Sequence, residues 1–170
     1  MGIEILVFLL VGIFAGTLAG MFGIGGGVII VPALIAIFSY LEFDENIIAH
    51  LAIGTSLASI FFTGLASAYS HNSKKGIIWK AFYPLAIGIF MGAIAGAVIA
   101  DNISGNTLRS IVGIFLLVLA IQLIINHELK EYKNNENYLL SILSGSGIGA
   151  ASAIVGIGGG SFSVPYLRTF

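Results

Sequence analysis

Gly23-Ile24-Gly25-Gly26-Gly27 separates two apolar stretches, and Gly156-Ile157-Gly158-Gly159-Gly160 repeats it near the other end of the chain. Val-Pro follows each copy at the same distance (Val31-Pro32 and Val164-Pro165), then a leucine (Leu34 and Leu167). Gly12 and Gly16 precede the first copy as Gly145 and Gly149 precede the second. One constant offset relates all these pairs, which marks an internal repeat. Glycine costs about 1 kcal/mol relative to alanine inside a helix, so four in five residues predict an interruption. The expected fold is an all-α polytopic membrane protein, a helical bundle with glycine-broken helices, in which the breaks form the site.

Composition sets the solvent. Hydrophobic residues make up 58% of the chain and charged residues 9%, with a mean hydropathy of +1.05. A soluble domain of this length could not bury that much apolar surface, so the bilayer is the expected partner. The net charge of -1 says nothing about nucleic acid and no basic cluster suggests it, so no nucleic-acid partner is expected. There are no cysteines, and His50, His71 and His127 lie far apart without metal-ligand spacing, so no metal and no cofactor are expected. The apolar N-terminus, with Glu4 as a solvated or interfacial charge, runs straight into the first glycine motif and is read as a retained membrane segment, not a cleaved signal.

A span needs about 20 apolar residues to cross roughly 30 Å of hydrocarbon. Ile3–Phe22 meets that, and Val28–Tyr40 follows as a half-length piece. Ile47–Tyr69, Trp79–Ala100 and Leu108–Ile125 are full spans, and Tyr138–Val155 opens a further one. Residues 1–137 are thus read as a first repeat (a broken segment, three spans and a loop), and residues 138–170 as the start of a second. Lys74, Lys75 and Lys80, beside the interfacial Trp79, place their loop in the cytoplasm; Asn102–Thr107 is then outside and His127–Asn137 inside. If Ile3–Tyr40 crosses once, the two copies lie parallel; if it crosses and returns, they are inverted. The sequence leaves both open.

Two kinds of glycine need different readings. Gly12, Gly16 and Gly20 recur every four residues, as do Gly88, Gly92 and Gly96. Such faces let another helix backbone approach closely, which makes them packing seams. The clustered glycines instead unwind the chain, and unwound backbone at membrane depth must be buried in protein or line a cavity. A helix restarting at Val28 leaves its first amides without intrahelical partners at the positive end of its dipole, an anion site that needs no basic side chain. Arg109 and Asp101 lie at span ends and no lysine or arginine falls mid-membrane, so a small anionic substrate would be held by Gly23, Gly25, Gly26 and Gly27, by Gly156, Gly158, Gly159 and Gly160, and by the hydroxyls of Thr55, Ser56 and Ser161. The bland alternative is that glycines only let helices cross and that these hydroxyls bond their own helix carbonyls. No Gly-Lys-Ser/Thr follows the motif, so it is not a phosphate-binding loop, and no nucleophile–base pairing suggests an enzyme.

These residues resemble the sulfite exporter TauE/SafE family of bacterial and archaeal membrane permeases. The resemblance is carried by Gly16 through Leu34, Gly54-Thr55-Ser56, Ser70-His71, Gly76-Ile77-Ile78-Trp79, the Gly88/Gly92/Gly96 span, Leu108-Arg109 and Gly145 through Leu167. It implies transport of a small sulfur-containing anion, of the sulfite, sulfonate or sulfoacetate type, across the cytoplasmic membrane. Members complete both halves, whereas this chain holds one repeat and the opening of another. It is therefore expected to be a fragment or one part of a split permease, completed by a second polypeptide or a second copy. The competing expectation is a membrane scaffold or accessory subunit that does not transport.

Overall fold

The computed structural model describes residues 2–22, 25–73, 79–125 and 138–158. They form six helices, α1 (Gly2–Phe22), α2 (Gly27–Tyr40), α3 (Glu45–Ser73), α4 (Trp79–Asp101), α5 (Gly105–Ile125) and α6 (Tyr138–Val155), with no strand among the described residues. Three of these, in α3, α4 and α6, hold apolar stretches long enough to cross a membrane (Glu45–Ser70, Phe82–Asp101 and Tyr138–Val155), so the chain is a multi-pass membrane protein. Much of the apolar surface points outward, as in Phe14, Phe62, Phe90 and Leu117, which is the arrangement lipid favours.

Short polar turns set the helix ends on one side of the bundle. Asp44 caps α3, its Oδ1 accepting the Asn46 amide at 2.9 Å. Ser104 precedes α5 and shares a 2.9 Å hydrogen bond with the Thr107 hydroxyl. Gly105 lies so close to the start of α3 that a Cβ there would come within 2.7 Å of the Asn46 carbonyl carbon. Nearby, the part-buried His50 Nε2 donates to the Ala100 carbonyl at 3.1 Å, tying early α3 to the end of α4.

At the end of α2 the Phe43 amide bonds the Phe38 carbonyl and the Glu42 amide bonds the Ser39 carbonyl, the paired reverse bonds of a Schellman ending. Phe38 and Phe43 add the expected apolar contact, with ring centroids 5.3 Å apart. The left-handed position is held by Glu42 at φ 56, where glycine carries no Cβ penalty. We expect Glu42→Gly to raise stability by about 1 kcal/mol. A thermal melt in detergent checks this, and an unchanged or lower midpoint would contradict it.

Contacts along the helices give their directions. Phe8, early in α1, meets Phe38, late in α2, with centroids 6.4 Å apart, so α1 and α2 form a hairpin. Of the two routes left open for Ile3–Tyr40, a single continuous crossing is thereby excluded: the segment turns back at the glycine motif. The turn at 41–44 sends α3 back against α2, and the His50–Ala100 bond makes α4 antiparallel to α3. Gly88, Gly92 and Gly96 abut Ile142, Ser146 and Ala150 in rising order, so α6 runs parallel to α4. It follows that α1 and α6, the helices that lead into the two glycine motifs, run in opposite directions.

The α4–α6 pair is the most extensive helix contact. A Cβ at Gly92 would lie 2.7 Å from the Ser146 Cα, and one at Gly96 would lie 2.8 Å from the Ala150 Cα. From the other side, Gly145 and Gly149 fit against the backbone of Leu85 and Ile89. The expected seam is real, and it is built by glycines on both helices. The core beside it gathers Val31, Leu34 and Ile35 of α2, Ile48, Ala52 and Ile53 of α3, Leu108 and Val112 of α5, Val155 at the end of α6 and Ile157 after it.

Candidate functional site

α2 begins where α6 ends. Gly26 precedes α2 with helical angles (φ -61, ψ -31), and no side chain caps the helix. Gly25, at φ 78, reverses the chain into it, a conformation glycine adopts without strain. At 14 residues α2 is about 21 Å long, short of a full crossing. Its first turn has no i−4 partner for its leading amides. Within α2, Pro32 has no N–H, so the Val28 carbonyl lacks the donor that a continuous helix would give it.

At the other side of the meeting point, Gly156 adopts φ 73 and closes α6; its amide and that of Ile157 both bond the Ser152 carbonyl, at 2.9 and 3.2 Å. Two carbonyls just past this ending accept hydrogen bonds from hydroxyls. Ser56 Oγ donates to Gly156 O at 2.8 Å, and Ser152 Oγ donates to Ile157 O at 2.6 Å. Both serines are buried, Ser56 at 0% exposure.

The two glycine motifs touch. A Cβ on the buried Gly27 would press on the Gly156 carbonyl oxygen and lie 2.7 Å from the Ile157 Cα. A Cβ on Gly156 would lie 3.0 Å from the Ile53 Cα and 3.1 Å from Val31 Cγ2. Ser56 is near the middle of the apolar stretch Glu45–Ser70, about 16 Å along α3 from its start. The α1–α2 hairpin therefore enters from the side of the 41–44 turn, α6 rises from the opposite side, and their tips meet near mid-depth.

Gly25, Gly26, Gly27, Ser56, Gly156 and Gly158 thus share one region, with Gly158 facing the Ile60 side chain. Thr55 does not share it: its side chain is exposed and its carbonyl accepts the Ser59 hydroxyl at 3.1 Å. Ser59 and Thr63 likewise bond carbonyls of their own helix. Gly23, Gly159, Gly160 and Ser161 lie outside the described residues, as do Lys74, Lys75 and His127. Ser152 was missed by sequence reasoning, although its place four residues before Gly156 was a usable signal for a hydroxyl at a helix end.

Comparison with known proteins agrees with the arrangement of motifs. A probable membrane transporter protein of Haemophilus influenzae is 35% identical over 164 residues, covering 96% of this chain and 62% of that protein. A probable membrane transporter protein of Methanocaldococcus jannaschii is 32% identical, covering 95% and 60%. The probable membrane transporter protein YunE of Bacillus subtilis is 29% identical, covering 95% and 66%. The chain thus spans less than two thirds of the length of these relatives. No solved structure matches it. Residues 8–170 match the family described as sulfite exporter TauE/SafE, as the resemblance in the motifs implied, and the chain belongs to that family.

Proposed function

We propose that the chain forms the substrate-holding part of a permease for small sulfur-containing anions of the sulfite, sulfonate or sulfoacetate type in the cytoplasmic membrane. The observation that carries this reading is an imbalance where the two motifs meet. The Gly156 and Ile157 carbonyls, just past α6, are taken by Ser56 and Ser152, whereas no side chain caps the start of α2. Spent acceptors beside an uncapped helix start favour an anion. In this reading Gly25, Gly26 and Gly27 hold the substrate through backbone amides. Ser56 acts one step back, fixing the Gly156 turn against which α2 begins. A site at mid-depth, where the tip of the α1–α2 hairpin meets the end of α6, suits alternating access, because the two enter from opposite sides. The family's name supports the sulfur anion; the geometry alone would suit any small oxyanion.

The test is uptake of sulfite and of a simple sulfonate into proteoliposomes holding this chain together with the remaining part found in its relatives. A Cβ at Gly26 would meet only the far end of the Ile30 side chain, at 3.2 Å, so Gly26→Val is expected to fold. It should lose at least tenfold in flux by covering the amides. Undiminished flux in a folded Gly26→Val protein would remove the site assignment. Flux of other oxyanions but neither sulfur anion would remove the substrate class.

A further inference from the structure

We propose that the glycine face of α1, formed by Gly12, Gly16 and Gly20, is the docking surface for one particular helix: the second-repeat counterpart of α4. Corresponding residues of the two copies lie 133 positions apart, as Gly23 and Gly156 do. At that offset Gly12, Gly16 and Gly20 match Gly145, Gly149 and Ala153. In the second copy this row is fully engaged. A Cβ at Gly145 would lie 2.6 Å from the Leu85 carbonyl oxygen, one at Gly149 would lie 2.9 Å from the Ile89 Cα, and the Ala153 Cβ is 3.0 Å from the Cβ position of Gly96. In the first copy, nothing lies within 4 Å of the Cβ position of Gly12, Gly16 or Gly20. Leu9 and Ile13, which match Ile142 and Ser146 of the seam, are 57% and 58% exposed.

The rest of α1 is already committed. Phe8 meets Phe38 of α2 and Ala15 is fully buried, so the hairpin contact uses the adjacent row and leaves the glycine row free. Because α1 and α6 run in opposite directions, the contact that α6 makes with α4 has an inverted equivalent. In it, α1 receives a helix running parallel to itself, with small residues every four positions. A second copy of this chain does not offer that helix, since its α4 seam is filled by its own α6. The occupant belongs to the part of the relatives' length that this chain does not span, 38% of it for the Haemophilus influenzae protein. The inference holds whether or not the assembly transports a sulfur anion.

The experiment co-expresses this chain with a polypeptide comprising the part of the Haemophilus influenzae relative outside the match, and measures co-purification in mild detergent. The unmodified pair is expected to associate. Gly16→Leu should leave the 170-residue chain monodisperse by itself, because its Cβ meets nothing, yet reduce recovery of the partner at least tenfold. Gly113→Leu, on a face of α5 where a Cβ also meets nothing, should not reduce it. The proposal is overturned if the unmodified pair fails to associate, if Gly16→Leu associates normally, or if Gly16→Leu alone misfolds.

Discussion

Gly92→Leu is expected to yield no stable protein: in mild detergent it should aggregate or be degraded, while Gly113→Leu behaves like the parent. The reason is that the obstacle at Gly92 is main chain. A Cβ there would press on the Ser146 carbonyl oxygen and stand 2.7 Å from its carbon and Cα, so no side-chain rotation makes room. Nor can the helices tilt around the site. Gly88 and Gly96 are equally close to Ile142 and Ala150, and Gly145 and Gly149 close the seam from the opposite side. The two backbones would have to part along three turns. In lipid nothing hydrophobic drives them back together, since association there depends on close van der Waals contact. Overpacking a core in which side chains can shift costs about 1–3 kcal/mol. Parting this seam should exceed that, against a total stability of roughly 5–15 kcal/mol. A monodisperse Gly92→Leu protein melting at the parent's temperature would show that the seam does not hold the bundle.

The helices were legible because membrane spans announce themselves through length and apolarity. All six apolar segments became helices, most within two or three residues of the expected bounds. What the sequence could not show was which equivalent pattern is engaged. Gly12/Gly16/Gly20 and Gly88/Gly92/Gly96 read alike, yet one row meets nothing and the other is filled by α6. Spacing reports that a face is smooth; only the fold reports what lies against it. Thr55 and Ser56 show the same limit at the scale of one residue. A helix turns about 100° per residue, so Ser56 points to the Gly156 turn and Thr55 points out. The hairpin was also beyond the sequence, because a glycine break permits both continuation and reversal. The Phe8–Phe38 contact settles it, and no local pattern encodes that contact. Glu42 is a further case: an acidic residue in a left-handed position gives no local warning, since a Schellman ending is normally announced by glycine.

Gly26→Ala and Gly27→Ala, neighbours in a run of identical residues, are expected to behave oppositely. At Gly26 the added methyl would meet only Ile30 Cδ1, at 3.2 Å, and the backbone is already helical, so the change should lie within about 1 kcal/mol. At Gly27 the methyl would press on the Gly156 carbonyl oxygen and stand 2.7 Å from the Ile157 Cα, which separates the two tips. We expect a loss of about 3 kcal/mol, read as a fall of roughly 6–12 °C in the detergent melt of a chain this size. Ser56→Ala acts on the same turn from the α3 side. Its removal leaves the buried Gly156 carbonyl without its hydroxyl donor and should cost about 1–3 kcal/mol. Because both changes release one turn, they should not add: once Gly27→Ala has pushed the tips apart, the Ser56 hydrogen bond has less left to hold. A double variant whose loss is at least 1 kcal/mol smaller than the summed single losses is the expected result. Full additivity would mean that the tips and the Ser56 bond are independent. In that case Ser56 would not be the residue that sets the position of the Gly156 turn beneath the start of α2.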